Sequence, residues 1–300
     1  MRGKIIRGVG GFYYVVADDE RIYECKARGI FRKEGIKPLV GDDVEISVID
    51  EEKLVGNIDD ISDRTNLLRR PAVANVDQAM VIFSLHRPDP NPGLLDRFLI
   101  SMEYNSVETV ICFSKSDLVD DEYCEELKSI YKNCSKDILV ISNNDKSGIS
   151  SVREVLKGKT TVLAGPSGVG KSSLVGHIVP DFKPEVGEVS QKTKRGKHTT
   201  RHTELFFVEK DTYILDTPGF SSVELPDILP EEIRYYIPEF EPYEGKCRFL
   251  GCTHIHEPDC EVRKTLDTDE PVIADSRYRS YIQMFEEANN RAVRSGRSSR

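Results

Sequence analysis

The feature that most constrains the fold of this chain is the run GPSGVGKS at Gly165–Ser172. It has the spacing G-x-x-x-x-G-K-S, follows the apolar strand pattern TTVLAG and opens a helical pattern at Lys171. Glycines let successive backbone N–H groups turn inward around phosphate oxygens, and the dipole of a helix N-terminus attracts the same anion. The strand before it and the helix after it argue against a chance glycine-rich turn with a lysine. The run therefore predicts a phosphate-binding loop in an α/β fold.

The residues of this loop have different expected roles toward a nucleoside triphosphate. We expect the Lys171 ammonium to reach the β- and γ-phosphates and the Ser172 hydroxyl to bind Mg²⁺. The other nucleotide-binding residues that we expect in the loop are Gly165, Pro166, Ser167, Gly168, Val169, Gly170 and Ser173.

The part of the chain around this loop alternates between short apolar runs and helical patterns. The runs are AMVIFSL, TVICF, DILVIS, TTVLAG, ELFFV and TYILD. This alternation predicts a layered α/β domain with a mainly parallel sheet, in which ligands bind at the carboxyl ends of the strands. The stretch ELFFVEKDTYILD predicts an antiparallel hairpin at one edge. The predicted helices are Pro92–Tyr104, Asp120–Asn133, Ser147–Leu156 and Lys171–Ile178.

The two ends of the chain have different patterns. The first part, to about residue 65, contains four or five short strand patterns without a helical period, which predicts a small β-barrel. An OB-like barrel and an SH3-like barrel fit this pattern almost equally well. The C-terminal part is rich in proline, acidic and aromatic residues, and it continues into a Cys/His cluster and a helical pattern from Ser276 to about Ala292.

Composition excludes some classes of protein. Unbroken apolar runs such as Ala79–Phe83 are far shorter than the ~18 residues of a membrane-spanning helix, and the N-terminus lacks the apolar stretch of a secretory signal. The net charge of −9 argues against a general polyanion binder, although bases without acids occur in residues 190–203 and 291–300. Seven cysteines, four of them scattered, predict reduced thiols in a cytosolic protein.

Two further motifs follow predicted strands. Asp216 begins the run DTPG, and a carboxylate at that strand end can hold Mg²⁺. The run also resembles the second switch motif of GTPases, in which the N–H of the glycine, here Gly219, contacts the γ-phosphate. The run SKSD resembles the guanine-specificity motif NKxD, with serine in place of asparagine at position 114. The carboxylate of Asp117 can accept two hydrogen bonds from guanine, which adenine does not offer. The expected guanine-binding residues of this run are Ser114, Lys115, Ser116 and Asp117.

The order of the motifs departs from that of ordinary GTPases. SKSD precedes the phosphate loop, and DTPG comes last. A weaker signal at Ser142–Asn143, which fits a backbone contact to guanine O6, also precedes the loop. This order is a circular permutation, which is tolerable because the termini of a domain often lie close together. Taken alone, SKSD is explained better by a polar turn with a helix N-cap, so the guanine motif depends on its combination with the phosphate loop.

A third group of residues has the spacing of a metal site. The spacing C-x4-C-x-H-x5-C is formed by Cys247, Cys252 and Cys260 with a histidine between them. Three thiolates and one imidazole fit a structural zinc site, in which four protein ligands surround the ion as a tetrahedron. The spacing leaves both His254 and His256 open as the fourth ligand.

Taken together, these features resemble the ribosome small-subunit-dependent GTPase A family of bacterial circularly permuted GTPases. The similar stretches, PLVGDDVEI, RRPAVANVDQ, PNPGLLDR and KHTT among them, span nearly the whole chain. The resemblance implies an OB-like β-barrel at residues 1–65, a circularly permuted GTPase domain at 66–222, and a zinc-binding domain with a C-terminal helix and basic tail at 223–300. It also favours His254 as the fourth zinc ligand.

The resemblance further implies GTP hydrolysis in late maturation of the small ribosomal subunit, with slow intrinsic turnover that this subunit stimulates. Thr200, or its neighbour Thr199, would complete the Mg²⁺ shell. Phe220 stands where many GTPases have a water-orienting glutamine, so His198 is a candidate for that role. The implied partners are GTP and GDP, the small subunit and its rRNA, with no membrane, and we expect a cytoplasmic monomer.

Two other classes of protein stay open from the residues alone. A phosphate-loop ATPase or small-molecule kinase would prefer ATP and would not depend on Asp117. A non-enzymatic RNA-binding module would have a degenerate nucleotide site, which the intact GKS, DTPG and KHTT stretches oppose.

Overall fold

The computed structural model describes the greater part of the chain, namely residues 1–33, 35–69, 71–180, 182, 203–216 and 223–295. The chain divides into two compact units, and each is built from several segments. The first comprises Met1–Gln78, Ile149–Leu163 and Lys171–Pro218, and the second comprises Ala79–Gly148, Ala164–Gly170 and Gly219–Arg300.

The first unit begins with a closed five-stranded barrel in the order β1-β2-β3-β5-β4. Strand β3 runs parallel to β5, and the other pairs are antiparallel. Apolar side chains of these strands fill the barrel, among them Ile5, Val15, Tyr23 and Ile58, all buried. The barrel is OB-like, as expected. Its elements are β1 (Arg2–Val9), β2 (Phe12–Ala17), β3 (Ile22–Ala27), α1 (Gly29–Lys33), β4 (Asp43–Asp50) and β5 (Val55–Ile61).

The rest of the first unit is α/β. Strand β11 runs parallel to β13, and β12 pairs antiparallel with β13, which confirms the predicted hairpin. A short hairpin of β6 and β7 follows the barrel. The elements are β6 (Leu67–Arg69), β7 (Ala72–Ala74), α4 (Ile149–Leu156), β11 (Thr160–Ala164), α5 (Lys171–Ile178), β12 (Leu205–Glu209) and β13 (Thr212–Asp216).

The second unit contains three strands in the order β10-β9-β8, with β10 parallel to β9. Two helices lie between them in sequence, and their apolar faces pack with the strands in a core that includes Phe83, Phe98 and Tyr131. Helix α2 begins after Asn91, whose side chain accepts from the N–H of Leu94. The elements are β8 (Gln78–Ser84), α2 (Pro92–Tyr104), β9 (Glu108–Ser114), α3 (Asp121–Tyr131) and β10 (Asp137–Val140).

The C-terminal segment of the second unit contains little regular structure apart from one long helix. Its core gathers Ile233, Phe240, Tyr281 and Met284, all buried. The elements are two 3₁₀ helices at Pro230–Tyr236 and Pro238–Tyr243, α6 (Glu261–Leu266) and α7 (Asp275–Ser295). No helix among the described residues has the length and apolar character needed to cross a membrane.

A buried ionic cluster joins α7 to α2 and to the second 3₁₀ helix. The Arg277 guanidinium donates to Asp96 Oδ1 at 2.5 Å and to the two carboxylate oxygens of Glu239 at 2.6 and 2.9 Å. All three side chains are 2% exposed. The guanidinium also lies 5.3 Å from the centre of the Tyr131 ring. A single arginine thus pairs with two buried carboxylates from distant segments of the chain.

Candidate nucleotide site and metal centre

The predicted phosphate loop lies between β11 and α5, in the context that the motif requires. Gly165, Gly168 and Gly170 all have positive φ, the region that glycine adopts without strain. At Gly165, where φ is +133°, an added Cβ would lie 2.1 Å from the carbonyl oxygen of Ile82, a backbone atom. Glycine at this position is therefore dictated by both backbone conformation and space.

The first residues of α5 lie beside the end of β13. The Ser172 hydroxyl donates to Asp216 Oδ2 at 3.4 Å. Burial lowers the pKa of Lys171, and the neighbouring Asp216 carboxylate opposes that effect. A hydroxyl oxygen and a carboxylate oxygen at this separation are the hard donors that Mg²⁺ prefers, so these residues fit the ion that the fold class implies.

The residues at the carboxyl ends of β9 and β10 contact the last turn of the phosphate loop. The buried Ser114 hydroxyl donates to the carbonyl of Val169 at 2.5 Å, and Asn143 Nδ2 donates to the carbonyl of Gly170 at 3.2 Å. Ser114 and Asn143 thus bind the carbonyls of two successive residues of this turn, Val169 and Gly170.

Asp117 lies in the exposed 3₁₀ turn Ser116–Leu118. Asn144 Nδ2 donates to Asp117 Oδ2 at 2.8 Å. Hydrogen bonds from the side chains of Ser142 and then Asn144 lower the pKa of Asp117, so the group is an ionised acceptor at neutral pH. The neighbouring Lys115 has φ of +62°, and its ammonium donates to the carbonyl of Arg87.

The cysteine and histidine residues predicted to bind zinc come together in the second unit. The ligand atoms of Cys247, Cys252, His254 and Cys260 all lie within 4.8 Å of one another, whereas the side chain of His256 is outside the group and exposed. His254 Nδ1 is 3.6 Å from the sulfur of Cys247 and 3.3 Å from that of Cys260, and the two sulfurs are 3.9 Å apart.

These separations fit zinc and exclude a disulfide. Tetrahedral ligands at about 2.3 Å for sulfur and about 2.0 Å for nitrogen stand roughly 3.5–3.8 Å apart, whereas a disulfide joins its sulfurs at about 2.05 Å. All seven cysteines, which all lie in the described part of the chain, are free thiols. Burial raises the pKa of Cys252 to about 12 and lowers that of His254. The neutral imidazole is the form that binds a metal, and an ion of positive charge would stabilise the thiolates.

Five residues singled out in the sequence lie outside the described residues: His198, Thr199, Thr200, Gly219 and Phe220.

The sequence analysis did not predict two residues that contact the candidate sites. Asn144 was missed because the stretch around it matched the guanine motif only weakly, and Glu244, which contacts His254, because it lies in a run of acidic residues without motif spacing.

The phosphate loop follows the SKSD motif in sequence, and Ser172 contacts Asp216. An OB-like barrel precedes both at the N-terminus. Together these features define a circularly permuted phosphate-loop GTPase. Sequence families agree with this class. Residues 61–226 match the family described as RsgA GTPase, and residues 2–55 match the RsgA N-terminal domain. The chain belongs to the RsgA GTPase family, and it is a GTP hydrolase.

Curated relatives match along nearly the whole chain. A protein from Agathobacter rectalis is 49% identical over 97% of this chain and 99% of its own length, and one from Alkaliphilus metalliredigens is 49% identical over 95% and 97%. Both are named small ribosomal subunit biogenesis GTPase RsgA.

Solved structures agree in fold. The crystal structure of YjeQ from Thermotoga maritima is 36% identical with a TM-score of 0.82, covering 96% of this chain and 98% of that one. YloQ, described as a circularly permuted GTPase, is 36% identical with a TM-score of 0.80, covering 97% and 95%. The predicted family and the permuted α/β fold are therefore confirmed.

Proposed function

We propose that this GTPase acts in biogenesis of the small ribosomal subunit, which stimulates a slow intrinsic turnover. The observation that carries the proposal is the 49% identity, over 97% of the chain, to a relative named for that role. Work on ribosomal subunits would place the protein in the cytoplasm. We assign the nucleotide chemistry to residues 66–222, and RNA contacts to the barrel at 1–65 and the metal-binding part at 223–300, with the protein acting as a monomer.

The proposed reaction is in-line attack of water on the γ-phosphoryl group of GTP. Lys171 would neutralise charge that develops on the β- and γ-phosphates, and backbone N–H groups of the loop and of Gly219 would donate to the phosphate oxygens. Ser172 and Asp216, with Thr200, would hold Mg²⁺, which when bound neutralises phosphate charge. The contact between Ser172 and Asp216 supports their part in this assignment.

The water that attacks needs an orienting group. Phe220 has no polar atom to supply one, so we propose that His198 or a group of the bound ribosomal subunit orients the water. A group supplied by the subunit would explain why turnover is slow without it.

Stimulation by the subunit is tested by measuring GTP turnover with and without purified small ribosomal subunits over a range of salt concentrations. We expect turnover to rise when subunits are added, and the stimulation to weaken with salt because contacts to RNA phosphates release counterions. Large ribosomal subunits at the same concentration are the control. Equal turnover with small subunits, large subunits and buffer would contradict the proposed role and leave the GTPase activity itself intact.

Base selection is proposed to depend on Asp117. We expect Asp117→Asn to weaken GTP binding roughly 100-fold or more, because two hydrogen bonds to an ionised group are lost or weakened. Xanthosine triphosphate should bind the variant better than wild type, since its 2-oxo group accepts from the new amide. Binding of GTP, ATP and XTP is measured for the variant and for Asp121→Asn, an exposed aspartate at the start of α3. Preference of wild type for ATP over GTP would favour the phosphate-loop ATPase instead, and equal binding of the two would indicate a general nucleotide binder.

We also propose one structural zinc ion per chain, bound by Cys247, Cys252, His254 and Cys260. The compact arrangement of their ligand atoms supports this assignment. Four protein ligands leave no position for substrate or water, so the ion would organise the loop between the second 3₁₀ helix and α6 rather than take part in hydrolysis.

A further inference from the structure

The two ring nitrogens of His254 face different partners. Nδ1 points to the sulfurs of Cys247 and Cys260, at 3.6 and 3.3 Å. Nε2 lies 3.3 Å from Oε1 of Glu244. The imidazole is 1% exposed, so no bulk water competes for either nitrogen. The nitrogen that faces Glu244 is therefore the one that carries a proton when the other nitrogen offers its lone pair to a metal.

The backbone around His254 is held in place independently of the imidazole. His254 has a φ of +62°, in the left-handed region that non-glycine residues seldom adopt. Two tyrosine hydroxyls of α7 stabilise this turn, because Tyr278 donates to the carbonyl of His254 at 2.7 Å and Tyr281 donates to that of Thr253 at 2.5 Å. The position of the main chain is thus fixed by α7, and the ring packs edge-on against Phe240, whereas the tautomer of the ring depends on what contacts its two nitrogens.

Glu244 is itself positioned by a buried arginine. Arg234 Nε lies 3.7 Å from Glu244 Oε1, and another nitrogen of the same guanidinium donates to the carbonyl of Cys252. The side chain of Arg234 is 9% exposed and that of Glu244 is 25% exposed. One cation therefore connects the carboxylate that contacts His254 with the backbone of a cysteine in the same cluster.

We propose that Glu244 is a positioning residue of the metal centre. Its carboxylate accepts the Nε2–H hydrogen bond of His254, fixes the tautomer in which Nδ1 is unprotonated, and aims Nδ1 at the ion, while Arg234 holds the carboxylate. This inference rests on the proposed zinc site. Carboxylates that accept from the outer nitrogen of a metal-bound histidine raise its basicity, and their loss typically lowers metal affinity roughly 10–100-fold.

The inference is tested by zinc release to a chromogenic chelator from the full-length, zinc-loaded protein. We expect Glu244→Ala to weaken zinc binding roughly 10–100-fold, and Glu244→Gln to weaken it less, because the amide oxygen still accepts from Nε2–H. The matched controls are Glu241→Ala and Glu241→Gln, since Glu241 is an exposed carboxylate in the neighbouring 3₁₀ helix. Release from Glu244→Ala at the rate of the Glu241 controls would overturn the inference.

A second measurement covers the case in which Glu244→Ala does not fold. In wild-type protein labelled with ¹⁵N-histidine and loaded with zinc, the NMR signals of His254 report which nitrogen is protonated. A protonated Nε2 and a metal-bound Nδ1 are expected, and the reverse arrangement would contradict the proposal. A role for Glu244 only as a partner of Arg234 would instead give Glu244→Gln no advantage over Glu244→Ala in zinc retention. Absence of zinc from pure wild-type protein would instead disprove the metal site itself.

Discussion

Replacement of Lys171 by alanine is expected to lower the turnover number for GTP hydrolysis roughly 100- to 1,000-fold, the usual effect of removing one preorganised electrostatic contact from a transition state. Lys171 is the first residue of α5, at the end of the phosphate loop, and the helix N-terminus there would attract the same phosphates that its ammonium is expected to bind. Burial lowers its pKa, so the charge lies where solvent screens it little and where its loss has a large effect.

The measurement is single-turnover hydrolysis with the protein in excess over GTP and above the dissociation constant of the complex, so that weaker binding does not imitate slower chemistry. Lys157→Ala serves as the control, because Lys157 is an exposed lysine just after α4. Lys171→Arg is expected to recover little activity, since a planar guanidinium does not fit where a compact ammonium sits. Turnover of Lys171→Ala within a factor of three of wild type would remove Lys171 from the proposed mechanism.

Local patterns predicted the elements of the α/β part closely. The predicted bounds of α2 and α5 are the observed ones, and α7 starts one residue earlier than expected. Helix α4 begins at Ile149 rather than Ser147, because Lys146 and Gly148 have positive φ values that an α-helix does not tolerate. Signals that lie within a few neighbouring residues, such as capping, periodicity and turn glycines, were therefore sufficient to predict where these helices begin and end.

Features that depend on distant residues were not predictable in this way. The strand patterns left OB-like and SH3-like barrels equally open, and the parallel pairing of β3 with β5 decides between them. The sequence named Ser114 and Asn143 as nucleotide-binding, but it did not indicate that their side chains hold carbonyls of the phosphate loop. Glu244 carried no signal, because its significance comes only from the placement of one ring nitrogen of His254.

The buried cluster around Arg277 is the strongest case of a long-range feature, since its partners Asp96 and Glu239 lie 181 and 38 residues away. No motif marks an arginine among the first residues of a C-terminal helix as a core residue. The fold nevertheless places it where two carboxylates would otherwise be buried without a counter-charge. Removing one member of the cluster should therefore cost much more stability than replacing all three.

Arg277→Met is expected to lower the free energy of opening of α7 by about 3–5 kcal/mol, because it leaves two buried carboxylates uncompensated. Hydrogen exchange of the α7 amides measures this local free energy without assuming that the whole chain unfolds in one step. Arg279→Met is the matched control on the same helix, since its ion pair with Asp275 is exposed and worth about 0–1 kcal/mol.

The triple variant Arg277→Met, Asp96→Leu, Glu239→Met separates loss of charge balance from loss of packing. We expect it to recover most of the stability lost in Arg277→Met, because replacing a whole buried ionic group by apolar residues of similar volume is often close to neutral. If the triple variant recovers none of the stability lost in Arg277→Met, the loss comes from the packing of the guanidinium on Tyr131, which both variants lack, rather than from the unpaired acids. Exchange rates of the α7 amides in the single and triple variants decide between these two causes.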